Sequence, residues 1–241
     1  MVAFDPRPVV RLALLRAGRH LGPRSLANLR SVLSYLELGS WLETLPAGRP
    51  APLATDTAVF EEALRRVTGR RPLYLEFGVF EGRSMRWWVS NLRNPDARFV
   101  GFDSFEGLPE GWRPGTPQGH FATAGAPSID DPRVSFVAGW FDQTLPGFAV
   151  PEHDQLIVNV DSDLYASADI VLRCLEPHLR SGTLLYFDEL PDRDHEMRAL
   201  HESLERSGKS VSPIAIGKGG VHWLFEYPPP ASSPASLDPS H

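Results

Sequence analysis

Glycines and carboxylates stand at spacings suited to binding a nucleoside. In Leu73-Tyr-Leu-Glu-Phe-Gly-Val-Phe-Glu-Gly-Arg-Ser84 an apolar run ends in Glu76 and a Gly78-x-x-x-Gly82 turn. The next apolar run, Phe99 to Asp103, ends in a carboxylate 27 positions after Glu76. Gly78 and Gly82 would let the backbone approach a ligand closely, and Asp103 would accept hydrogen bonds from a ribose. Glu76 ends a buried strand, where a carboxylate is costly unless paired. Its partner is either a cationic ligand amine or an arginine such as Arg83 or Arg86. Ser84, at a helix start, either binds a ligand carboxylate or caps the helix.

A second constellation is acidic. Asn159-Val-Asp-Ser-Asp-Leu-Tyr165 follows an apolar run, and Phe187-Asp-Glu-Leu190 ends the next. Adjacent parallel strands would bring Asp161 or Asp163, Asp188 and Glu189 to one sheet edge. Hard oxygen ligands gathered there suit Mg²⁺, although acids at strand ends also cap helices or face water, as Asp163 would near Ser167. Between the two sites, Gly139-Trp140-Phe141 places aromatic rings at a strand-to-turn position, against a purine base or in the core. His120, His153, His195 and His201 are acid/base candidates.

These residues need a scaffold. From Leu73 onward strands and helices alternate, which predicts an α/β fold with a parallel sheet covered on both faces. Strands are expected at about 72–77, 97–102, 133–138, 155–160 and 182–188, with helices at 82–93, 166–179 and 192–207. The runs 210–216 and 221–227, joined by Gly217-Lys-Gly-Gly220, read as a closing hairpin. A dinucleotide dehydrogenase would continue instead with another βαβ half. Residues 104–131 form a long Gly/Pro-rich linker, a lid or a disordered loop. Leu26, Leu29, Val32, Leu33 and Leu36 recur at helical spacing, so 24–44 is read as an amphipathic helix, broken by 46–52 and followed by a helix at 57–68. The organisation expected is a helical appendage or lid over 1–70, packed on the sheet or on another subunit, a catalytic domain over 71–227, and a disordered Pro/Ser-rich tail over 228–241.

The chain has 241 residues, net charge −6 and a single cysteine, Cys174. The acidic balance argues against a general nucleic-acid binder, and one cysteine excludes an internal disulfide framework or a Cys-rich zinc site. A reducing, cytoplasmic setting and no membrane span are expected. Six arginines in the first thirty residues face one acid, Asp5, and read as a solvated helix face rather than a targeting peptide.

Taken as an ordered set, YLEFGVFEGRS, GFDSFEGLPEGW, VAGWFDQTLP, NVDSDLYAS and SGTLLYFDE resemble the macrocin O-methyltransferase (TylF/MycF-type) family of class I S-adenosylmethionine-dependent methyltransferases, over roughly residues 72–227. The resemblance implies a Rossmann-like seven-stranded sheet with an antiparallel C-terminal hairpin. It implies methionine-moiety contacts over Glu76 to Ser84, ribose contacts at Asp103 and Ser104, an adenine-flanking turn at Gly139, Trp140 and Phe141, and a further cofactor contact at Asp161. A Mg²⁺ site would draw on Asp161 or Asp163, Asp188 and Glu189. Relatives commonly carry Asp-Asp where this chain has Asp188-Glu189, and the lysine base of catechol-type relatives is replaced by Ser-Asp-Leu-Tyr. Asp161 or Asp163 would then be the general base, with His195 as an outside candidate. The reaction implied is methylation of a hydroxyl on a small molecule, a sugar or other secondary metabolite, by a homodimer. Rival readings are a metal-independent methyltransferase and a cofactor-binding module without catalysis.

Overall fold

Pro-Leu-Tyr-Leu-Glu-Phe is buried at every position in the computed structural model of the chain, forming strand β1 (Pro72–Phe77) in the interior of the sheet. The structure describes residues 8–45, 50, 52–113 and 115–227. The expected tail over 228–241, and most of the break at 46–52, lie outside the described residues.

The remaining strands are β2 (Arg98–Asp103), β3 (Val134–Ala138), β4 (Gln155–Val160), β5 (Leu184–Phe187), β6 (Ser212–Ile216) and β7 (Trp223–Glu226). Their order is β3-β2-β1-β4-β5-β7-β6. The first five are parallel, and β7 pairs antiparallel with both β5 and β6. The seven-stranded sheet and its closing hairpin are therefore borne out. The order reverses between β1 and β4, which leaves a crevice beyond their carboxyl ends.

Side-chain alternation along β1 divides the core. Leu73, Leu75 and Phe77 join one hydrophobic cluster with helices α6 (Tyr165–Leu175) and α7 (Glu196–Ser207). Tyr74 joins the other, with α3 (Asp56–Arg65) and α4 (Arg83–Asn91), whose Trp88 is 1% exposed and 5.0 Å from the Tyr74 ring. Glu76 shares the Tyr74 face, the reason α4 can reach it. A short helix, α5 (Phe141–Thr144), follows β3 where only a turn was expected.

The N-terminal helices are α1 (Pro8–Gly18) and α2 (Pro23–Leu42). Within one chain the expected stripe does not pack on the sheet. Leu26, Leu29, Val32, Leu33 and Leu36 are exposed, whereas Ser34, Leu38 and Leu42 face the core. Spacing identified a real apolar face, but α2 docks through its neighbouring face. Trp41 packs on His201 and Phe225, and Glu37 pairs with Arg193 at 2.7 Å.

Candidate active site

A cleft of about 690 Å³ opens beyond the carboxyl ends of β1, β2, β4 and β5. Gly78, Asp103, Ser104, Gly139, Trp140, Phe141, Asp161, Asp163, Asp188 and Glu189 all line it. Glu76, Gly82, Ser84 and His195 do not, and among the described residues none before Gly78 lines it. The 104–131 linker contributes Ser104, Gly107, Leu108, Pro109, Trp112, Arg113 and Phe121 to its lining.

The β1–α4 turn is shaped by glycine. Gly78 has φ +96°, and a Cβ there would lie 1.7 Å from the Asp161 carbonyl oxygen. No side chain fits where the loops after β1 and β4 approach so closely. Asp103 anchors the turn: one carboxylate oxygen accepts the main-chain N–H groups of Val79 and Phe80 at 2.8 and 2.9 Å, the other that of Phe105 at 2.7 Å. A carboxylate has about four acceptor positions, so capacity for a ligand hydroxyl remains.

Glu76 is fully buried and held by hydroxyls. Tyr74 donates to it at 3.0 Å and Ser84 donates from α4, while Asn159 donates to the Tyr74 oxygen at 3.1 Å. Burial pushes its pKa up to about 8. Arg86, one of the arginines considered as its partner, reaches the main-chain carbonyls of Glu81 and Ser128 instead. Ser84 does not cap α4, since Gly82 is the N-cap and no side-chain cap bond forms there.

The acids after β5 act on those after β4. Burial first, then Asp188, Asp163, Glu196 and Glu76, holds the Asp161 carboxyl well above the usual range. Asp163 is pushed up to about 7 by burial and by Glu189 and Asp188, with Arg113 opposing. Its φ is +61°, an uncommon conformation for a non-glycine residue, and it makes no cap for α6. Asp188 accepts the Tyr186 hydroxyl at 3.0 Å and stands 2.9 Å from His222 Nδ1. Both oxygens of Glu189 take the Arg113 guanidinium, at 2.9 and 3.2 Å. Among the described residues no three His, Cys, Asp or Glu side chains are grouped so as to hold one metal ion. The donors suit Mg²⁺ by chemistry, but their present spacing does not.

His195 Nδ1 accepts the main-chain N–H of Tyr165 at 3.1 Å, outside the cleft. Residues the sequence did not single out complete the lining. Phe80 and Phe121 meet edge to face at 5.5 Å, each with positive φ, and Trp112 lies under the Arg113 guanidinium at 3.7 Å. Trp112 and Phe121 belong to the 104–131 linker, where Leu108 exchanges main-chain hydrogen bonds with Gly119 and His120 and a bridge joins Arg113 to Thr116. Its aromatic content was the available signal.

The strand order and the crevice define the class I methyltransferase fold. Consistent with this, residues 75–190 match the family model described as a methyltransferase domain. Two curated relatives are the 8-demethyl-8-(2,3-dimethoxy-alpha-L-rhamnosyl)-tetracenomycin-C 4'-O-methyltransferase of Streptomyces olivaceus, 34% identical over 110 residues (46% of this chain, 40% of that protein), and the mycinamicin III 3''-O-methyltransferase of Micromonospora griseorubida, 30% identical over 95 residues (39% and 35%). These matches bear out the resemblance to the TylF/MycF-type family. The matched part spans less than half the length of either relative. In fold, the chain resembles the calicheamicin methyltransferase CalS11 (TM-score 0.55, 21% identity, covering 92% of this chain and 86% of that one) and the O-methyltransferase NovP (0.56, 22%, 71% and 78%).

Proposed function

We propose that this protein is an S-adenosylmethionine-dependent O-methyltransferase acting on a hydroxyl of a small molecule, a sugar or other secondary-metabolite acceptor. One observation carries the reading: a single cleft joins the glycine turn and Asp103 to Trp140 and to the acids Asp161 and Asp163. The fit to the cofactor rests on the buried Ser162 hydroxyl, which lines the cleft without a protein partner, and on the acceptor capacity left on Asp103. When bound, S-adenosylmethionine supplies a methyl group on a sulfonium.

The chain's own residues would do the rest. Asp103 and Ser104 hold the ribose, Gly139, Trp140 and Phe141 flank the adenine, and the turn at Gly78, held from outside the cleft by Glu76, Gly82 and Ser84, fixes the methionine end, with Asp161 beside it. Asp163 or Asp161 takes the acceptor's proton. A carboxylate whose pKa is raised toward 7 is a better base than an ordinary one and is still substantially ionised at neutral pH. Phe80, Trp112 and Phe121 exclude water from the acceptor. The lining carries six carboxylates and one guanidinium, which favours an uncharged or cationic acceptor over an anionic one.

Mg²⁺, if used, would be held by Asp188 with Asp161 or Asp163. The Arg113 fork on Glu189 favours the metal-independent alternative. Transfer that persists after complete chelation would support that alternative, and loss restored by Mg²⁺ would refute it. The exposed apolar face of α1 and α2, including Leu12, Leu15, Leu29 and Leu36, supports a homodimer. Among the described residues no helix is long and apolar enough to cross a membrane, and the intracellular cosubstrate supports a cytoplasmic setting. We divide the chain into an appendage over 1–70 and a catalytic domain over 71–227. The deciding experiment is calorimetric titration of S-adenosylmethionine into wild type and Asp103→Ala, with a transfer assay over an acceptor panel. Wild type should bind the cofactor and the variant more weakly. Binding without turnover on any acceptor would favour a non-catalytic module, and failure of the wild type to bind would overturn the proposal.

A further inference from the structure

Glu196, the first residue of α7, is 1% exposed and lies outside the cleft lining. A buried carboxylate is expensive, and packing alone would be met by an apolar side chain of similar size. Its two oxygens show what it does instead. Oε1 accepts the main-chain N–H of Ser162 at 3.2 Å, and Oε2 accepts that of Glu189 at 3.3 Å. Ser162 sits between Asp161 and Asp163, and Glu189 follows Asp188. The parallel ladder between β4 and β5 has its last paired residues at Val160 and Phe187, so these loops have left the sheet where Glu196 joins them. The adjacent His195 ties the same helix start to Tyr165, at the beginning of α6.

We propose that Glu196 is a positioning residue for methyl transfer: one buried side chain staples the loops after β4 and β5, setting the spacing of Asp161 and Asp163 against Asp188. Asp163, held at positive φ, depends on such external restraint. Glu196 is not itself a base, because both oxygens are engaged away from the cleft. The inference rests on the methyltransferase reading for its catalytic part and on geometry alone for its structural part.

Glu196→Gln keeps the volume but presents an amide NH₂ to one of the two N–H groups, so one staple is lost without opening a cavity. Amide hydrogen exchange, read by mass spectrometry on the full chain, should quicken about tenfold or more at the segments holding Ser162 and Glu189. The β1 segment should stay unchanged. In transfer assays kcat should fall about tenfold to a hundredfold while the KM for S-adenosylmethionine stays within about threefold, because the Gly78 and Asp103 turn is untouched. Glu196→Asp, which retains both acceptors on a shorter arm, should recover part of the loss and serves as the second variant should Gln impair folding. Unchanged exchange at both loops overturns the staple, and unchanged kcat with lowered melting temperature overturns its catalytic role. If wild type neither binds S-adenosylmethionine nor turns over, the functional reading fails, and the exchange result still decides the staple.

Discussion

Glu76→Gln should flatten the pH dependence of this protein's stability. The carboxyl lies fully buried beneath Tyr74 and Ser84, and burial raises its pKa from 4.5 to about 8, with Ser84 and Tyr74 opposing the shift and Asp103 and Asp188 adding to it. Between these values the folded chain retains a proton that the unfolded chain has lost. The stabilisation is therefore fully present below about pH 4.5 and is lost as pH rises toward 8. Each pH unit in that window is worth about 1.4 kcal/mol, so from pH 5 to 8 the effect approaches about 4 kcal/mol. Gln keeps the shape and the oxygen acceptor but cannot ionise. Urea unfolding of wild type and variant at pH 5, 6, 7 and 8, followed by tryptophan fluorescence, reads Glu76 together with its smaller coupling to Asp161. Wild type should lose stability relative to Glu76→Gln as pH rises. A gap constant to within about 0.5 kcal/mol across the series, against the ~4 kcal/mol expected, would refute the reasoning.

Other substitutions probe the cleft. If Asp163 is the base, the rate of transfer should rise with pH through about 7, the value its surroundings impose; Asp163→Asn should remove that limb and lower kcat about 10²- to 10⁴-fold, read from pH–rate profiles. Gly78→Ala would drive a methyl into the Asp161 carbonyl at positive φ, costing about 1–3 kcal/mol or more by chemical denaturation and abolishing cofactor binding by calorimetry. Arg113→Ala frees Glu189 and loosens the 104–131 linker. The half-exposed pair is worth about 0.2–1 kcal/mol, so the acceptor KM should rise about two- to fivefold with cofactor affinity unchanged. Leu29→Glu together with Leu36→Glu on the exposed face of α2 should shift a dimer to monomer in light scattering; an unchanged mass would argue against that face as the interface.

By itself the sequence determined the sheet. Apolar runs ending in acids or glycine, alternating with helical periods, specify β1 to β5, and the two runs around Gly217 to Gly220 specify the hairpin. Both signals are local, because a strand buried on two faces must be apolar nearly throughout and a turn must carry residues that tolerate its dihedrals. The lining residues Asp103, Trp140 and Asp161 were legible for the same reason, since strand ends in such a sheet converge on one crevice.

Only the tertiary structure decided the pairings. The stripe on α2 announced an apolar face, but spacing cannot say which neighbour covers it, and the helix docks through Leu38 and Leu42 instead. Arg113 and Glu189 are 76 residues apart and meet because the linker folds back across the cleft. Glu196 reads in sequence as an ordinary first-turn acid, favourable to the helix dipole. Its burial under two loops, and with it the case for a staple, exists only once α7 is packed against the ends of β4 and β5. Periodicity is a property of neighbours along the chain, whereas the partner of a buried charge is chosen by whatever the fold brings within hydrogen-bonding reach.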